Sequence, residues 1–374
     1  MFGLLTQLRL TTPALRGSAI PAASRVLADL GKAAIHSGQL ELEFCPAREE
    51  DMEQVLAISD DCFSGLDYMA ETYHHWLREP DRFVFLAKKH GRVLLLLSKS
   101  SPAEGSFFQP GLLPPQIALG SALLVDGRRT AIGQGVRVDP AHRSQGVAFA
   151  VRRHLIQFIK TYFPQVTTNR WTMETEPRPD ADIRLLAREA VLTLCCEVAD
   201  LGPFLQELGT KLGQQTGGGG PQPVTLSQVE AERLVLSHHV VQNLLPAGTI
   251  MNDWEPFQPL ESNLEILRRR GLTWVADRAE LPSALSLCTT PHRVPYRADA
   301  LHFNINIFSG EQTPARAVLL AQLQGLLPSL RGYVIFGICL RPCLWAGMRD
   351  FCRSSSGVSF FREHWEQLLL ERDV

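Results

Sequence analysis

One stretch constrains the chain more than any other: Val136-Arg137-Val138-Asp139-Pro140-Ala141-His142-Arg143-Ser144-Gln145-Gly146-Val147-Ala148. A β-branched strand ends at Asp139-Pro140, a short turn follows, and an apolar-striped segment from 146 to about 163 predicts a helix. The first turn of that helix carries unpaired backbone N–H groups and the positive end of the helix dipole, so it attracts a diphosphate. Gly146 and Ala148 leave room for phosphate to touch backbone, and Arg143 adds a permanent positive charge.

A glycine-containing turn also opens many helices that bind nothing, so both readings stand on these residues alone. A dinucleotide fold fits worse, because its G-x-G-x-x-G fingerprint is missing after the first strand. No G-x-x-x-x-G-K-[ST] loop occurs either. The Arg143-x-x-Gly146-x-Ala148 pattern resembles motif A of the GNAT acetyltransferases, which binds the pyrophosphate of acetyl-coenzyme A. The Val-x-Val-Asp-Pro strand end before the arginine is similar to the fourth strand of that family.

Length bounds the architecture. A chain of 374 residues, 45% of them hydrophobic, has room for roughly two domains with a core in each. A net charge of −2 gives no long-range attraction to nucleic acid or anionic membrane, and no run of about 18 apolar residues is present. Neither a nucleic acid nor a membrane is therefore expected as partner; oligomeric state stays open. The eight cysteines include no C-x-x-C pair, and no metal is expected; Cys339 and Cys343 read as two small packing residues. Reduced thiols point to the cytoplasm. The first 28 residues hold Arg9, Arg16 and Arg25 with no acid, which fits a mitochondrial transit peptide or a poorly restrained terminus.

The pattern along the chain predicts a disordered leader over 1–39 and a first α/β domain over 40–213. Strands are expected over 40–45, 82–88, just after His90, and over 118–125, 131–138, 168–174 and 191–198. Helices are expected over 46–58, 68–77, 146–163 and 180–190. Asp126-Gly127 marks a hairpin turn. A proline-rich stretch over 94–116 reads as an insertion, either a mobile lid or an aberrant exon boundary. The Gly/Pro run 214–223 reads as a linker. Beyond it, 224–374 alternates helices (226–236, 261–270, 316–327, 341–352, 360–370) with strands (272–276, 285–289, 301–308, 333–340), a second α/β domain without its own coenzyme motif.

The first domain's order resembles a GNAT domain, a mixed central sheet flanked by helices. Three segments are similar to the histidine N-acetyltransferase-like proteins: Ile58 to Arg82 with Gly65-Leu66-Asp67-Tyr68, the 136–148 motif, and Leu245-Pro246-Ala247-Gly248-Thr249-Ile250-Met251-Asn252-Asp253-Trp254-Glu255-Pro256-Phe257. The resemblance implies transfer of acetyl from acetyl-CoA to the α-amine of a small amino acid, L-histidine. One departure stands out: GNAT enzymes often carry a tyrosine proton donor on the helix after the fifth strand, and Ile183-Arg184-Leu185-Leu186-Ala187-Arg188 has none.

On that reading Arg143, Ser144, Gln145, Gly146, Val147 and Ala148 hold the pyrophosphate. Val136 and Val138 line the pantetheine, and a backbone N–H near Val136 meets the developing oxyanion. Glu174 is the candidate general base, with a solvated surface acid as the plain alternative. Asp67, Tyr68, Glu174 and Trp254 are the candidate acceptor wall: Asp67 for a cation, Tyr68 for stacking on an imidazole. Packing explains Tyr68 and Trp254 equally well. His74-His75 point about 100° apart on a helix, which argues against a shared ion. Two alternatives remain, a coenzyme-binding module that has lost turnover and a protein or peptide N-acetyltransferase.

Overall fold

The computed structural model describes residues 33–37, 40–59, 62–89, 116–177, 182–217, 219–362 and 364–374. Residues 1–32 of the expected leader, the strand expected after His90, and the insertion up to residue 115 lie outside the described residues.

Within the leader span, β1 (Ala33–Ser37) pairs antiparallel with β2 (Leu40–Pro46). Helices α1 (Met52–Ser59) and α2 (Met69–Arg78) precede β3 (Arg82–Lys89), β4 (Gln116–Val125) and β5 (Thr130–Val138). The β4–β5 hairpin turns through Asp126, Gly127 and Arg128, all at positive φ. Helix α3 (Val147–Tyr162) buries Val151, Leu155 and Phe158 against Phe83, Phe85 and Ala122 of the sheet. Each such large side chain contributes about 1.5–3 kcal/mol by leaving water. β6 (Thr168–Met173), β7 (Arg184–Glu197) and α4 (Val198–Thr216) follow.

The later elements are β8 (Val224–Leu226), α5 (Gln228–Val235), α6 (His238–Asn243), β9 (Ile250–Asn252), β10 (Glu255–Phe257) and α7 (Glu261–Arg269). Then come β11 (Thr273–Ala276), β12 (Ala284–Cys288), β13 (His292–Arg293), β14 (Ala300–Ser309) and α8 (Gln312–Leu326). The chain closes with β15 (Tyr333–Leu340), α9 (Pro342–Cys352), β16 (Ser359–Phe360) and β17 (Trp365–Asp373). Among the described residues no helix is long and apolar enough to cross a membrane. Cys343, expected to pack, is exposed on α9, while Cys339 is buried.

One mixed sheet runs through both halves, in the order β1-β2-β3-β4-β5-β6-β17-β7-β15-β14-β12-β11-β8. The two halves repeat a plan. β2-β3-β4-β5-β6 is matched by β8-β11-β12-β14-β15, and in each the last two strands are parallel and joined through a helix, α3 or α8. Their final strands, β7 and β17, are exchanged: β17 lies between β6 and β7 and pairs with both.

Two expectations are corrected here. Residues 184–190, expected as the end of a helix over 180–190, are the first half of β7. Residues 360–370, also expected helical, hold the end of β16 and most of β17. Both runs are rich in Leu, Ala, Glu and Arg, good helix formers. Residues 184–190 gain a ladder with β17, and residues 365–370 gain ladders with β7 and β6; that pairing overrides the local preference.

The halves differ where it matters for binding. In β5, Gly135 and Val136 together oppose one residue of β4: Leu119 pairs with Arg137 and Ser121 with Gln134. Gly135 sits at φ 71, a conformation glycine adopts freely. This bulge bends β5 away from β6. Their parallel pairing stops after Gly133↔Trp171, so a V-shaped slot opens toward the strand ends. The equivalent pair β14/β15 stays zipped from Ala300↔Tyr333 to Ile307↔Leu340. The N-cap of α8 is Glu311, an acid at the end where α3 has Gly146.

Candidate functional site

At the open end of the slot, α3 begins from Gly146, a left-handed N-cap at φ 80 with no side chain capping the helix. Ser144 is also left-handed, at φ 61. Residues 143–146 are exposed. The turn is braced from within: Asp139 accepts from the Ala141 amide at 2.8 Å and lies 3.2 Å from His142 Nδ1, and Arg143 Nε donates to the Val138 carbonyl at 3.0 Å. Gln145 Nε2 donates to the Ala141 carbonyl at 2.9 Å. First-turn amides thus face solvent beside Arg143, the arrangement that suits a diphosphate.

The strand residues part company. Val136 is half-buried beside the slot. The Val138 side chain is only 9% exposed and packs in the core that Val136 borders. Val147 is buried as well, leaving only its backbone to the loop.

Where β6 ends, Glu174 borders a tight cavity of about 40 Å³. Alternate residues of four neighbouring strands form its floor, since side chains alternate faces along a strand. They are Trp365 and Gln367, Val191 and Thr193, Cys339 and Gly337, and Asn304 and His302. Register sets Trp365 beside Val191 and Gly337 between Thr193 and Asn304. Phe63, Leu66, Tyr68, His292 and the β9–β10 tip, Asp253-Trp254, complete the walls. A wider cavity of about 350 Å³ shares Tyr68, Asp253, His292 and Asn304 with it and reaches Gln134 at the start of the slot.

This floor is unusually polar for a sheet centre: His302, Asn304, Thr193 and Gln367 are all buried, and Asn306 and Glu189 are buried on the same strands beyond it. Among the described residues, His292 Nε2, His302 Nδ1, Gln367 Oε1 and Trp365 Nε1 have no hydrogen-bond partner. A buried unpaired polar atom costs about 1–3 kcal/mol, and four of them border this one cavity. Burial holds the His292 imidazole down to about 4 and His302 well below its ordinary value. It pushes Asp253 up to about 8 and Glu189 up to about 7. Asp253 itself is held at φ 57, a strained value for a non-glycine residue.

At the cavity mouth Arg362 Nη2 lies 3.3 Å from Glu174 Oε2, with the guanidinium 4.7 Å over the Trp365 ring. Trp254 stacks on Trp365 with ring centres 5.7 Å apart. Tyr68 meets His292 edge-on at 6.4 Å and takes the Arg137 guanidinium over its face at 4.7 Å. Asp67, expected to receive a cation from the acceptor, is engaged already. Arg137 donates to both its oxygens at 2.9 and 3.1 Å, and the Met69 amide adds a third bond at 2.6 Å. His74 meets Tyr73 edge-on, while His75 lies 3.2 Å from Arg270, so the pair does not converge.

A buried four-charge cluster fixes the hairpin tip to the first half. Arg82 pairs with Glu79 at 2.5 Å and with Glu255, and Arg270 pairs with Glu79 at 2.7 Å and Glu255 at 2.8 Å. Thr172 Oγ1 donates to the Trp254 carbonyl at 2.9 Å, and Gln367 Nε2 to that of Asp253 at 2.8 Å. The structure therefore brings Tyr68, Glu174 and Trp254 to one cavity and takes Asp67 out of play. Sequence reasoning missed Arg362, His292, His302 and Gln367. Their one local sign is a polar residue at an inward position of a largely buried strand, as at His302 and Gln367.

Residues 219–341 match the family model described as Histidine N-acetyltransferase, C-terminal. The chain is similar to the Histidine N-acetyltransferase of Scomber australasicus, 33% identical over 342 residues that cover 90% of this chain and 95% of that one. It is also similar to the Probable N-acetyltransferase 16 of Homo sapiens, 34% identical over 343 residues, 89% of this chain and 86% of that one. Among solved structures, a tandem GNAT protein from the clavulanic acid biosynthesis pathway aligns at TM-score 0.46 and 13% identity, over 89% of this chain and 98% of that one.

Proposed function

This chain belongs to the histidine N-acetyltransferase family and is an N-acetyltransferase, and we propose that it moves acetyl from acetyl-coenzyme A to the α-amine of free L-histidine by direct attack. The observation that carries the reading is a junction. The slot opened by the β5 bulge, with uncapped helix amides at one end, meets the wider cavity at Gln134, and that cavity shares Tyr68, Asp253, His292 and Asn304 with the tight one.

In this reading the amides of residues 144–148 and Arg143 take the diphosphate, and the pantetheine follows β5 past Val136. The thioester carbonyl then faces the bulge amides near Val136, which stabilise its developing charge. Glu174 takes a proton from the acceptor ammonium. The freed nitrogen attacks, a C–N bond forms, and the C–S bond breaks. The nitrogen loses its second proton, the departing thiolate gains one from solvent, and the products are the N-acetyl amino acid and the free thiol. Strand β7 occupies the place of the expected tyrosine-bearing helix, which is consistent with solvent in the donor role. Most of the rate gain comes from positioning thioester against amine.

A small acceptor is favoured over a peptide because the Asp253-Trp254 tip roofs the cavity. Tyr68 and Trp254 offer ring faces to an imidazole, and Gln367 and His292 offer unpaired polar atoms to its edge. A thiol-release assay with acetyl-coenzyme A and each of the twenty amino acids tests this. Histidine should give the highest kcat/KM. Coenzyme binding without thiol release from any of them would leave only a binding module.

A further inference from the structure

The cavity holds one charge of each sign at its mouth and none inside. Arg362 and Glu174 are its outermost charged lining residues, with side chains 30% and 28% exposed. Of the other ionisable lining groups, His292 is held neutral near pH 7 by burial, as is His302, and burial keeps Asp253 largely protonated. The neighbouring cations are matched elsewhere: Arg137 by Asp67, and Arg82 and Arg270 by Glu79 and Glu255.

The mouth pair itself is loose. It rests on one contact at 3.3 Å between half-exposed groups, and pairs of that kind are worth little and separate readily. The Trp365 ring beneath holds the guanidinium in place, so its fork of donors is ready for a planar anion. An α-amino acid carries the complementary pattern, a carboxylate and an ammonium on adjacent atoms.

We propose that the acceptor parts this pair, Arg362 taking its α-carboxylate while Glu174 faces its α-nitrogen, so that the enzyme accepts free α-amino acids and rejects decarboxylated or amidated amines. This rests on the acetyl-transfer reading above but not on histidine as the acceptor. Arg362 acts by binding substrate, and it comes from the short segment between β16 and β17, the last part of the second half. The second half thus supplies the group that defines the substrate class for a slot belonging to the first.

The test compares histidine with histamine and with histidine amide, using the full-length enzyme and acetyl-coenzyme A. The wild type should prefer histidine by about 10- to 100-fold in kcat/KM, the usual effect of one charge-assisted pair. Arg362→Gln should abolish that preference, and Arg362→Lys should restore part of it. The KM for acetyl-coenzyme A, which a misfolded protein would not keep, should stay within twofold in both variants. A wild type that handles histamine as well as histidine overturns the proposal, and so does an Arg362→Gln enzyme with the wild-type ratio. If another amino acid proves to be the acceptor, the same comparison with its amide decides the matter while the histidine reading alone fails. Turnover of no free amino acid overturns the clamp.

Discussion

Gly146→Asp isolates the role of the helix start. Gly146 is the N-cap of α3 at φ 80, with no side chain in the capping role. An aspartate there bears some left-handed strain, about 1 kcal/mol, since Asp tolerates this region better than most residues. Against that, an acidic N-cap stabilises a helix start by up to about 1 kcal/mol through hydrogen bonding and the dipole. The two nearly cancel, so folding stability should change by no more than about 1 kcal/mol. Binding is another matter. A carboxylate about 5 Å from a doubly charged diphosphate costs roughly 1.7 kcal/mol if fully solvated and about 6.6 kcal/mol at an effective dielectric near 20. Even the lower figure weakens binding about 17-fold. Calorimetric titration with acetyl-coenzyme A should show that loss while the thermal midpoint moves only a few degrees. Gly146→Asn, which keeps the shape without the charge, should retain most of the affinity. Binding by Gly146→Asp within threefold of the wild type would refute the assignment of the diphosphate to this turn.

Two further outcomes follow from the cavity floor and from α3. A Cβ on Gly337 would lie 3.1 Å from Asn304 Oδ1 and 3.3 Å from His302 Nε2, so Gly337→Val fills the floor. The KM for the acceptor should rise at least about tenfold at a stability cost of about 1–3 kcal/mol for overpacking; an equal rise in the acetyl-coenzyme A KM would show a general loss of structure instead. His154 is buried in α3, stacked 4.2 Å from Phe44, and burial holds its imidazole down to about 4 from 6.5. Between those two pH values the unfolded chain binds a proton that the folded chain refuses, so acidification costs stability, up to about 1.4 kcal/mol per pH unit. Urea unfolding from pH 7 to 4.5 should show His154→Phe losing less stability than the wild type over that interval, whereas parallel curves would exclude this origin.

The strand-turn-helix at 136–163 was legible because its signals are local: β-branched residues, Asp-Pro, a small-residue turn, an apolar stripe. Its bulge was not, because Gly135 and Val136 oppose a single residue of β4, and only the register reveals it. The bulge also sets the face that Val136 and Val138 share, the one packed under α3. The two misread helices are the two strands that pair with each other at the middle of the sheet. Helix-forming residues there are held extended by partners more than a hundred positions away. Asp67 looked available because nothing in its own segment shows Arg137 lying across it.

Sequence alone determined the strand, turn and helix over 136–163, the turn suited to a diphosphate, and the family likeness, since each is written in residues close together along the chain. Tertiary structure decided how the halves share one sheet, which strands remain parted, and which side chains meet around the cavity. Glu174, Asp253, His302 and Arg362 are far apart in sequence and become neighbours only through exchanged strands and an inserted hairpin. Contacts of that kind depend on register and on burial of the whole assembly, and no local pattern of residues encodes either.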